Sequence, residues 1–257
     1  MDPITLIGCL VGFIIVMVVL ILEGGSPTSI LLVAPMLLVF GGTLAVAAAG
    51  VSFKLFIASF KAAGQAMVTG PPKYGELLET LVSCANIARR DGLLSLEATV
   101  SDIQNPLLRR GLELAIDGTD PTDLARILEA ELHSETVYGA RHAKLFMDMG
   151  GYAPTIGIIG TILGLVTVLG NLSNPDELGG LIAGAFVAAM WGVLSANVFW
   201  IPISNKIKLL NELHTTQGEV IIEGILAIQA GANPRMVERR LRALLPSDVM
   251  RDLEKAA

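Results

Sequence analysis

A chain of 257 residues that is 53% hydrophobic, with a mean hydropathy of +0.64, spends too much of its length on apolar residues for an ordinary soluble enzyme. Its formal net charge of −6 and the lack of a basic, aromatic-studded patch argue against a nucleic-acid partner. All 18 Lys and Arg fall within residues 50–148 and 204–257, and everything else is uncharged apolar sequence joined by connectors that carry only acidic charge.

The first apolar stretch, Ile4–Leu22, has no charge, no basic region before it and no small-residue cleavage site after it. It is therefore expected to persist as a membrane span and not to be a cleaved signal. Glu23-Gly24-Gly25-Ser26-Pro27 reads as a tight turn into a second uncharged stretch, Thr28–Ala49. Phe53–Val68 is expected to carry that second helix out of the membrane until Gly70-Pro71-Pro72. Tyr74–Arg90 places Leu77, Leu78, Leu81, Cys84, Ala85 and Ala88 at helical spacing, and Asp91-Gly92 stops it. A short helix or turn covers Leu93–Val100. Asn105-Pro106 pairs a cap with a proline at the first helical position and opens Pro106–Ile116, which Gly118 closes. Asp120-Pro121 repeats that signal for a long helix from Thr122 to about Met149, with a break expected at Gly150-Gly151 before a third apolar stretch, Tyr152–Gly170. After the acidic connector of Asp176 and Glu177 comes a fourth, Leu181–Ile203, then an extension over 205–230 and a last helix, Arg235–Leu245, started by Asn233-Pro234. Its Arg239, Arg240 and Arg242 read as a solvated face.

Each apolar stretch is long enough for a hydrocarbon core of roughly 30 Å at about 1.5 Å per residue. Soluble helices of this length carry a polar face, which these lack. Lys54 and Lys61 follow the second stretch, Arg141 and Lys144 precede the third, and Lys206 and Lys208 follow the fourth. By the positive-inside rule both termini and the large insert are cytoplasmic. The expected fold is an all-α integral membrane protein with four transmembrane helices. Residues 1–49 hold spans 1 and 2, 50–148 a helical cytoplasmic domain, 149–203 spans 3 and 4, and 204–257 cytoplasmic C-terminal helices. Cys9 in a span and Cys84 in the cytoplasm are not placed for a disulfide.

None of the four stretches contains Asp, Glu, Lys, Arg or His. A self-sufficient pump or transporter normally carries an ionisable group within the membrane. If this chain works with an ion, another polypeptide must bring the titrating carboxylate. What the third and fourth stretches do carry is small residues. Ala153, Pro154, Gly157, Gly160, Thr161 and Gly164 recur at spacings of three and four residues in one, and Ala185, Ala188, Ala189, Gly192 and Ala196 in the other. Such faces admit a close neighbour, which is either the other span of the same chain or a partner helix. The Thr161 hydroxyl either binds an ion, a water or a neighbouring helix, or bonds back to its own helix. Pro154 and Pro202, near the cytoplasmic ends of spans 3 and 4, each remove a helix hydrogen bond and permit a kink, as a pair of hinges or as tolerated membrane prolines.

The run Ala153-Pro154-Thr155-Ile156-Gly157-Ile158-Ile159-Gly160-Thr161-Ile162-Leu163-Gly164-Leu165 resembles the third span of MotA and PomA, the flagellar stator A subunits. So do Ile221-Ile222-Glu223-Gly224-Ile225-Leu226-Ala227-Ile228-Gln229-Ala230-Gly231 with Asn233-Pro234, Phe40-Gly41-Gly42-Thr43-Leu44, and Ala88-Arg89-Arg90 with Gly92 and Leu96-Glu97. The resemblance covers essentially the whole chain. It implies a homo-oligomeric ring, a pentamer around a dimer of a MotB-like single-span partner that supplies the membrane aspartate, set in the bacterial inner membrane among its lipids. It implies that ion flow drives torque on the rotor protein FliG, with no enzymatic step, cofactor or metal. Carried over by position, Thr161, Gly157, Gly164, Ala188 and Ala189 border the ion path, Pro154 and Pro202 are coupling prolines, and Arg89, Arg90 and Glu97 face the rotor. Sodium-type subunits have a threonine pair where this chain has Ala188-Ala189. Loss of those hard oxygen ligands predicts H+ as the coupling ion, with Na+ kept open by Thr161.

An ExbB- or TolQ-like energiser is the nearest rival, but it follows a three-span plan. A membrane enzyme is disfavoured because His133, His142 and His214 lack metal spacing and no nucleophile elbow or phosphate loop occurs. A pure scaffold accounts for the uncharged spans but not for the stator motifs.

Overall fold

The structure is a computed structural model that describes residues 4–247 and 249–251. In chain order the helices are α1 (Ile4–Leu22), α2 (Val33–Ala49), α3 (Phe53–Val68), α4 (Tyr74–Asp91), α5 (Glu97–Val100), α6 (Pro106–Ile116), α7 (Pro121–Gly170), α8 (Pro175–Gln229) and α9 (Pro234–Ala243). There is no strand among the described residues. Helix starts follow side-chain caps. Asn105 Oδ1 accepts from the Leu108 N–H at 3.0 Å, Asp120 Oδ1 from the Thr122 N–H at 2.8 Å and Asn233 Oδ1 from the Arg235 N–H at 3.0 Å, each just before a proline that has no N–H to satisfy.

Three expectations need correction. The second apolar stretch is not one helix over Thr28–Ala49. Ser26 caps a 3-10 turn at Pro27–Ile30, Leu31 and Leu32 leave helical geometry, and α2 starts only at Val33. Pro35 sits in its first turn, where a missing N–H is harmless, and a π turn spans Leu37–Gly41. The helices long and apolar enough to cross a membrane are therefore α1, α7 and α8, whereas α2 reaches only about 25 Å. Secondly, Phe53–Val68 does not continue the second helix. Gly50 ends α2, and the Ser52 hydroxyl accepts from the Leu55 N–H at 3.3 Å to start α3 afresh. Thirdly, α7 runs from Pro121 to Gly170 with no break at Gly150-Gly151. A Cβ at Gly150 would lie 2.6 Å from Ile201 Cγ1, so this glycine makes room for the neighbouring helix and the chain stays helical.

Contacts divide the chain into two units, one of Met1–Gly70 with Gly139–Leu209 and one of Pro71–Tyr138 with Leu210–Ala257. In the first, α1 buries no residue of its own. It is held by Trp191 of α8, whose ring lies 6.2 Å from that of Phe13 and 5.5 Å from that of Phe40. The Trp191 indole N–H donates to the Ile30 carbonyl at 2.7 Å, so one buried side chain ties together α1, α2, α8 and the 3-10 turn. The Ser204 hydroxyl joins α8 to α7 through the Ala143 carbonyl at 2.7 Å.

A buried pair joins α3 to α7. The Ser59 hydroxyl donates to the Leu55 carbonyl at 2.8 Å, and its oxygen lies 2.8 Å from His142 Nδ1. Its one proton is committed, so Ser59 accepts from an Nδ1–H. Burial lowers the His142 pKa from its ordinary 6.5. The unfolded chain then takes up a proton at a higher pH than the folded one, so stability is fully present above about pH 6.5 and falls as pH drops below it. Detergent-solubilised protein is expected to lose thermal stability from about pH 7.5 to about pH 5.5, and H142Q to lose less of it. Equal losses in both proteins would remove His142 as the cause.

The second unit has its own core, in which Leu81, Leu96, Leu112, Leu124, Ile225 and Leu241 are fully buried. Here α4 packs on α9 and on the turn at Leu93–Leu96. The Tyr74 hydroxyl donates to the Leu213 carbonyl at 2.8 Å, and the Thr136 and Thr215 hydroxyls pair at 2.9 Å. Gly92, with φ of 87°, makes the sharp exit from α4 that an L side chain resists.

Candidate functional site

The two small-residue faces meet each other within the chain. A Cβ at Gly157 of α7 would lie 2.9 Å from the Ala188 carbonyl oxygen and 3.3 Å from Ala189 Cα of α8. One at Gly192 would lie 2.7 Å from the Ala153 carbonyl and 3.2 Å from Pro154 Cα, and one at Gly164 2.5 Å from Ala185 Cβ. Backbone thus rests on backbone along two turns of both helices. The other flanks of α7 remain exposed and apolar at Ile158, Ile159, Ile162, Leu163 and Val166.

Thr161 is the polar group of this interface. It is half-buried, and its hydroxyl lies 3.2 Å from both the Gly157 carbonyl of its own helix and the Ala185 carbonyl of α8. The hydroxyl proton serves those two acceptors, which leaves the oxygen lone pairs able to accept from a water or to ligate a cation. Ala188 is buried and Ala189 half-buried beside it, and neither adds an oxygen. Where the glycines bring the two helices together, Thr161 thus offers a hydroxyl and no side chain carries charge.

The two prolines lie on different packing faces. Pro154 sits inside α7, which continues through it, and its backbone touches Gly192. Pro202 follows a π turn at Ala196–Trp200 and lines a groove against α1. The π turn removes the register in which the Pro202 ring would meet a carbonyl one turn back. Pro202 thus faces α1, whereas Pro154 faces α8.

In the second unit Arg89 and Arg90 close α4, Glu97 opens α5, and all three are exposed. Arg90 is bound to Asp91, with Nη2 2.7 Å from Oδ2 and Nε within 3.0 Å of both carboxylate oxygens. That pairing raises the Arg90 pKa and lowers that of Asp91. Arg89 and Arg90 line a cleft of about 660 Å³ together with Asn233, Pro234 and Arg235 from the start of α9. Arg235 is a third cation on this surface that the sequence reading passed over. Its signal was the Asn233-Pro234 start, which turns Arg235 toward the end of α4. Two of the three cations placed on a solvated face form ion pairs, Arg242 with Glu238 of its own helix at 2.8 Å and Arg240 with Glu223 of α8 at 3.5 Å.

Thr43 was quoted only as part of a motif, yet its side chain is fully buried and its hydroxyl has no hydrogen-bond partner. The neighbouring Gly42 is what lets Ile156 of α7 approach, since a Cβ there would lie 3.3 Å from Ile156 Cγ2. Within the Phe40-Gly41-Gly42-Thr43 motif, Gly42 thus meets α7 while Phe40 meets Trp191 and Trp200 of α8.

Residues 99–219 match the MotA/TolQ/ExbB proton channel family. Over 254 residues the chain is 32% identical to Motility protein A of Bacillus subtilis, a match that covers 96% of this chain and 92% of that one. The chain belongs to the MotA family. It is also 31% identical over 245 residues to the chemotaxis protein PomA of Vibrio alginolyticus, covering 95% and 96% of the two chains. The fold matches a solved C. jejuni MotAB structure with a TM-score of 0.92 at 29% identity, over 96% of this chain and 97% of that one. A flagellar MotAB stator complex from Bacillus subtilis matches with a TM-score of 0.84 at 31% identity, over 95% and 96%. The MotA likeness therefore extends beyond residues 99–219 to α1, α2 and α9, which carry one wall of the groove, the Phe13 and Phe40 rings that meet Trp191, and Arg235.

Proposed function

We propose that this chain is the A subunit of a flagellar stator, an ion-conducting membrane protein that turns ion flow into torque on the rotor. The observation that carries this reading is the uncharged α7–α8 interface in a member of a channel family. It presents the Thr161 hydroxyl, and none of the four apolar stretches contains Asp, Glu, Lys, Arg or His. A titrating group must then come from outside, and a MotB-like single-span helix with a membrane aspartate fits that need. The exposed apolar flank of α7 at Ile158, Ile162 and Val166 is the surface on which such a helix would lie. Several copies would surround it as a ring, a pentamer around a partner dimer. In this reading α2 is a fourth, shorter crossing of the inner membrane and both termini are cytoplasmic. Arg89, Arg90 and Glu97, joined by Arg235, face the rotor protein FliG. Exposed ion pairs contribute about 0–1 kcal/mol each, so several would act together.

The coupling ion in this reading is H+. A dehydrated Na+ seeks several oxygen ligands, and Ala188 and Ala189 supply none from their side chains beside Thr161. The Thr161 hydroxyl and the likeness to PomA favour Na+ as the second reading.

The test is swimming and ion current in a stator-deleted host. The chain is expressed alone, with a MotB-like partner, and with that partner's membrane aspartate changed to asparagine. Swimming and proton current are expected only with the unaltered partner, and to persist without sodium at fixed proton-motive force. Current from the chain alone would sink the claim that the carboxylate is external. Motility that stops on sodium removal would overturn proton coupling.

A further inference from the structure

The first unit holds a second feature that the ion path does not use, a groove of about 500 Å³ between α1 and the lower part of α8. We propose that it binds one anionic phospholipid of the cytoplasmic leaflet, an inference that rests on the membrane orientation given above. The groove exists because α1 presents glycine on this side. A Cβ at Gly8 would meet nothing within 4 Å, and one at Gly12 only Val198, at 3.8 Å. The walls are mainly apolar, whereas Thr5, Asn205 and Lys206 bring a hydroxyl, an amide and an ammonium group to one end, the Lys206 side chain being buried and already engaged within the protein.

The two helices run antiparallel here, so Thr5 at the start of α1 and Asn205 and Lys206 beyond the fourth apolar stretch lie at the same end of the groove. That is the end from which Lys54, Lys61 and Lys208 place the cytoplasm. An apolar hollow opening sideways on a hydrocarbon phase is not held open by water, which needs polar partners. An acyl chain fills it, and the phosphate then falls at the depth of Lys206 and Asn205. The volume lies in the range of small-ligand sites, roughly 300–1,000 Å³. Pro202 and Val198, on either side of the end of the π turn, form part of the same wall. The lipid would thus brace the point at which α8 can flex against α1.

The experiment uses the full complex of this chain with its partner, purified in mild detergent and analysed by native mass spectrometry with phospholipid quantification. It is then repeated in nanodiscs of phosphatidylcholine with and without phosphatidylglycerol. One phospholipid per chain is expected to survive delipidation, with phosphatidylglycerol preferred about fivefold. Gly8→Trp, which projects into open space, is expected to abolish retention with assembly intact, and the milder Gly8→Leu to reduce it. K206Q is expected to keep a lipid but lose the headgroup preference. Absence of retained lipid, or equal retention in Gly8→Trp, overturns the proposal. Break-up of the oligomer by Gly8→Trp also overturns it, because a neighbouring copy would then be what fills the groove. Cysteines at Ser26 and Lys54 test the orientation separately, with Ser26→Cys labelled from outside and Lys54→Cys only after permeabilisation. The reversed pattern overturns the leaflet and the orientation while leaving lipid retention as its own result.

Discussion

Gly157→Val is expected to abolish swimming and to prevent stable assembly, the largest effect of any single substitution in the first unit. The new Cβ would lie 2.9 Å from the Ala188 carbonyl oxygen, 3.2 Å from Gly192 Cα and 3.3 Å from Ala189 Cα. All three are backbone atoms of α8, so no side-chain rotation relieves the clash and the helices must part. Overpacking in cores commonly costs about 1–3 kcal/mol, and a clash against backbone belongs above that range. For a chain of this size that lowers the melting temperature by roughly 6–12 °C. Separation also breaks the Thr161 bond to the Ala185 carbonyl, so ion current is expected to fall even in whatever protein reaches the membrane. Gly179→Ala, where a Cβ meets nothing within 4 Å, is the control and is expected to swim normally. Normal swimming in Gly157→Val would mean that α7 and α8 do not meet along this face in the working protein.

In the second unit the largest effect is expected from Leu81→Ala, which should destabilise by about 2–5 kcal/mol. Leu81 is fully buried in a core built by α4, α6, α9 and the last turns of α8. It packs where α8 offers Gly224, at which a Cβ would lie 2.8 Å from Leu81 Cδ2 and 2.9 Å from Cδ1. That geometry makes a sharper test than the single substitution. Gly224→Ala alone should destabilise by roughly 1–3 kcal/mol, because its methyl group collides with Leu81. In the double variant the methyl group enters the space that Leu81 has vacated. Denaturation of the two single variants and the double variant should therefore show the double more stable than the sum predicts, by about 1 kcal/mol or more. Strict additivity would show that the two residues do not touch.

Much of the fold was legible because its signals are local. A capping side chain and its target N–H lie within three residues of each other, so Asn105-Pro106, Asp120-Pro121 and Asn233-Pro234 mark helix starts in any context. Gly92 and Gly118 end helices because their backbone takes a positive φ. The break at Gly150-Gly151 was misread for the converse reason. Glycine is a poor helix former in isolation, but here it answers a neighbour 51 positions later, Ile201, whose approach outweighs the local preference. The separate start of α3 at Ser52 was local and readable, and apolar continuity across residues 50–53 obscured it. For the candidate site, the two small stripes and Thr161 were visible as patterns, but their partner was not. Periodicity says that a face is smooth and says nothing about which surface rests on it.

The amino-acid sequence by itself determined which segments are apolar, where the positive charge lies, where most helices begin, and that no Asp, Glu, Lys, Arg or His stands in the apolar stretches. These follow from hydropathy, charge and capping, which act on single residues or short windows. Only the tertiary structure decided that the small faces of α7 and α8 close on each other, that Pro154 and Pro202 face different neighbours, that α2 is short, and that Arg235 joins Arg89 and Arg90. Each depends on atoms far apart in the chain meeting at van der Waals distance, and close packing is a property of the pair of surfaces, which neither segment carries alone.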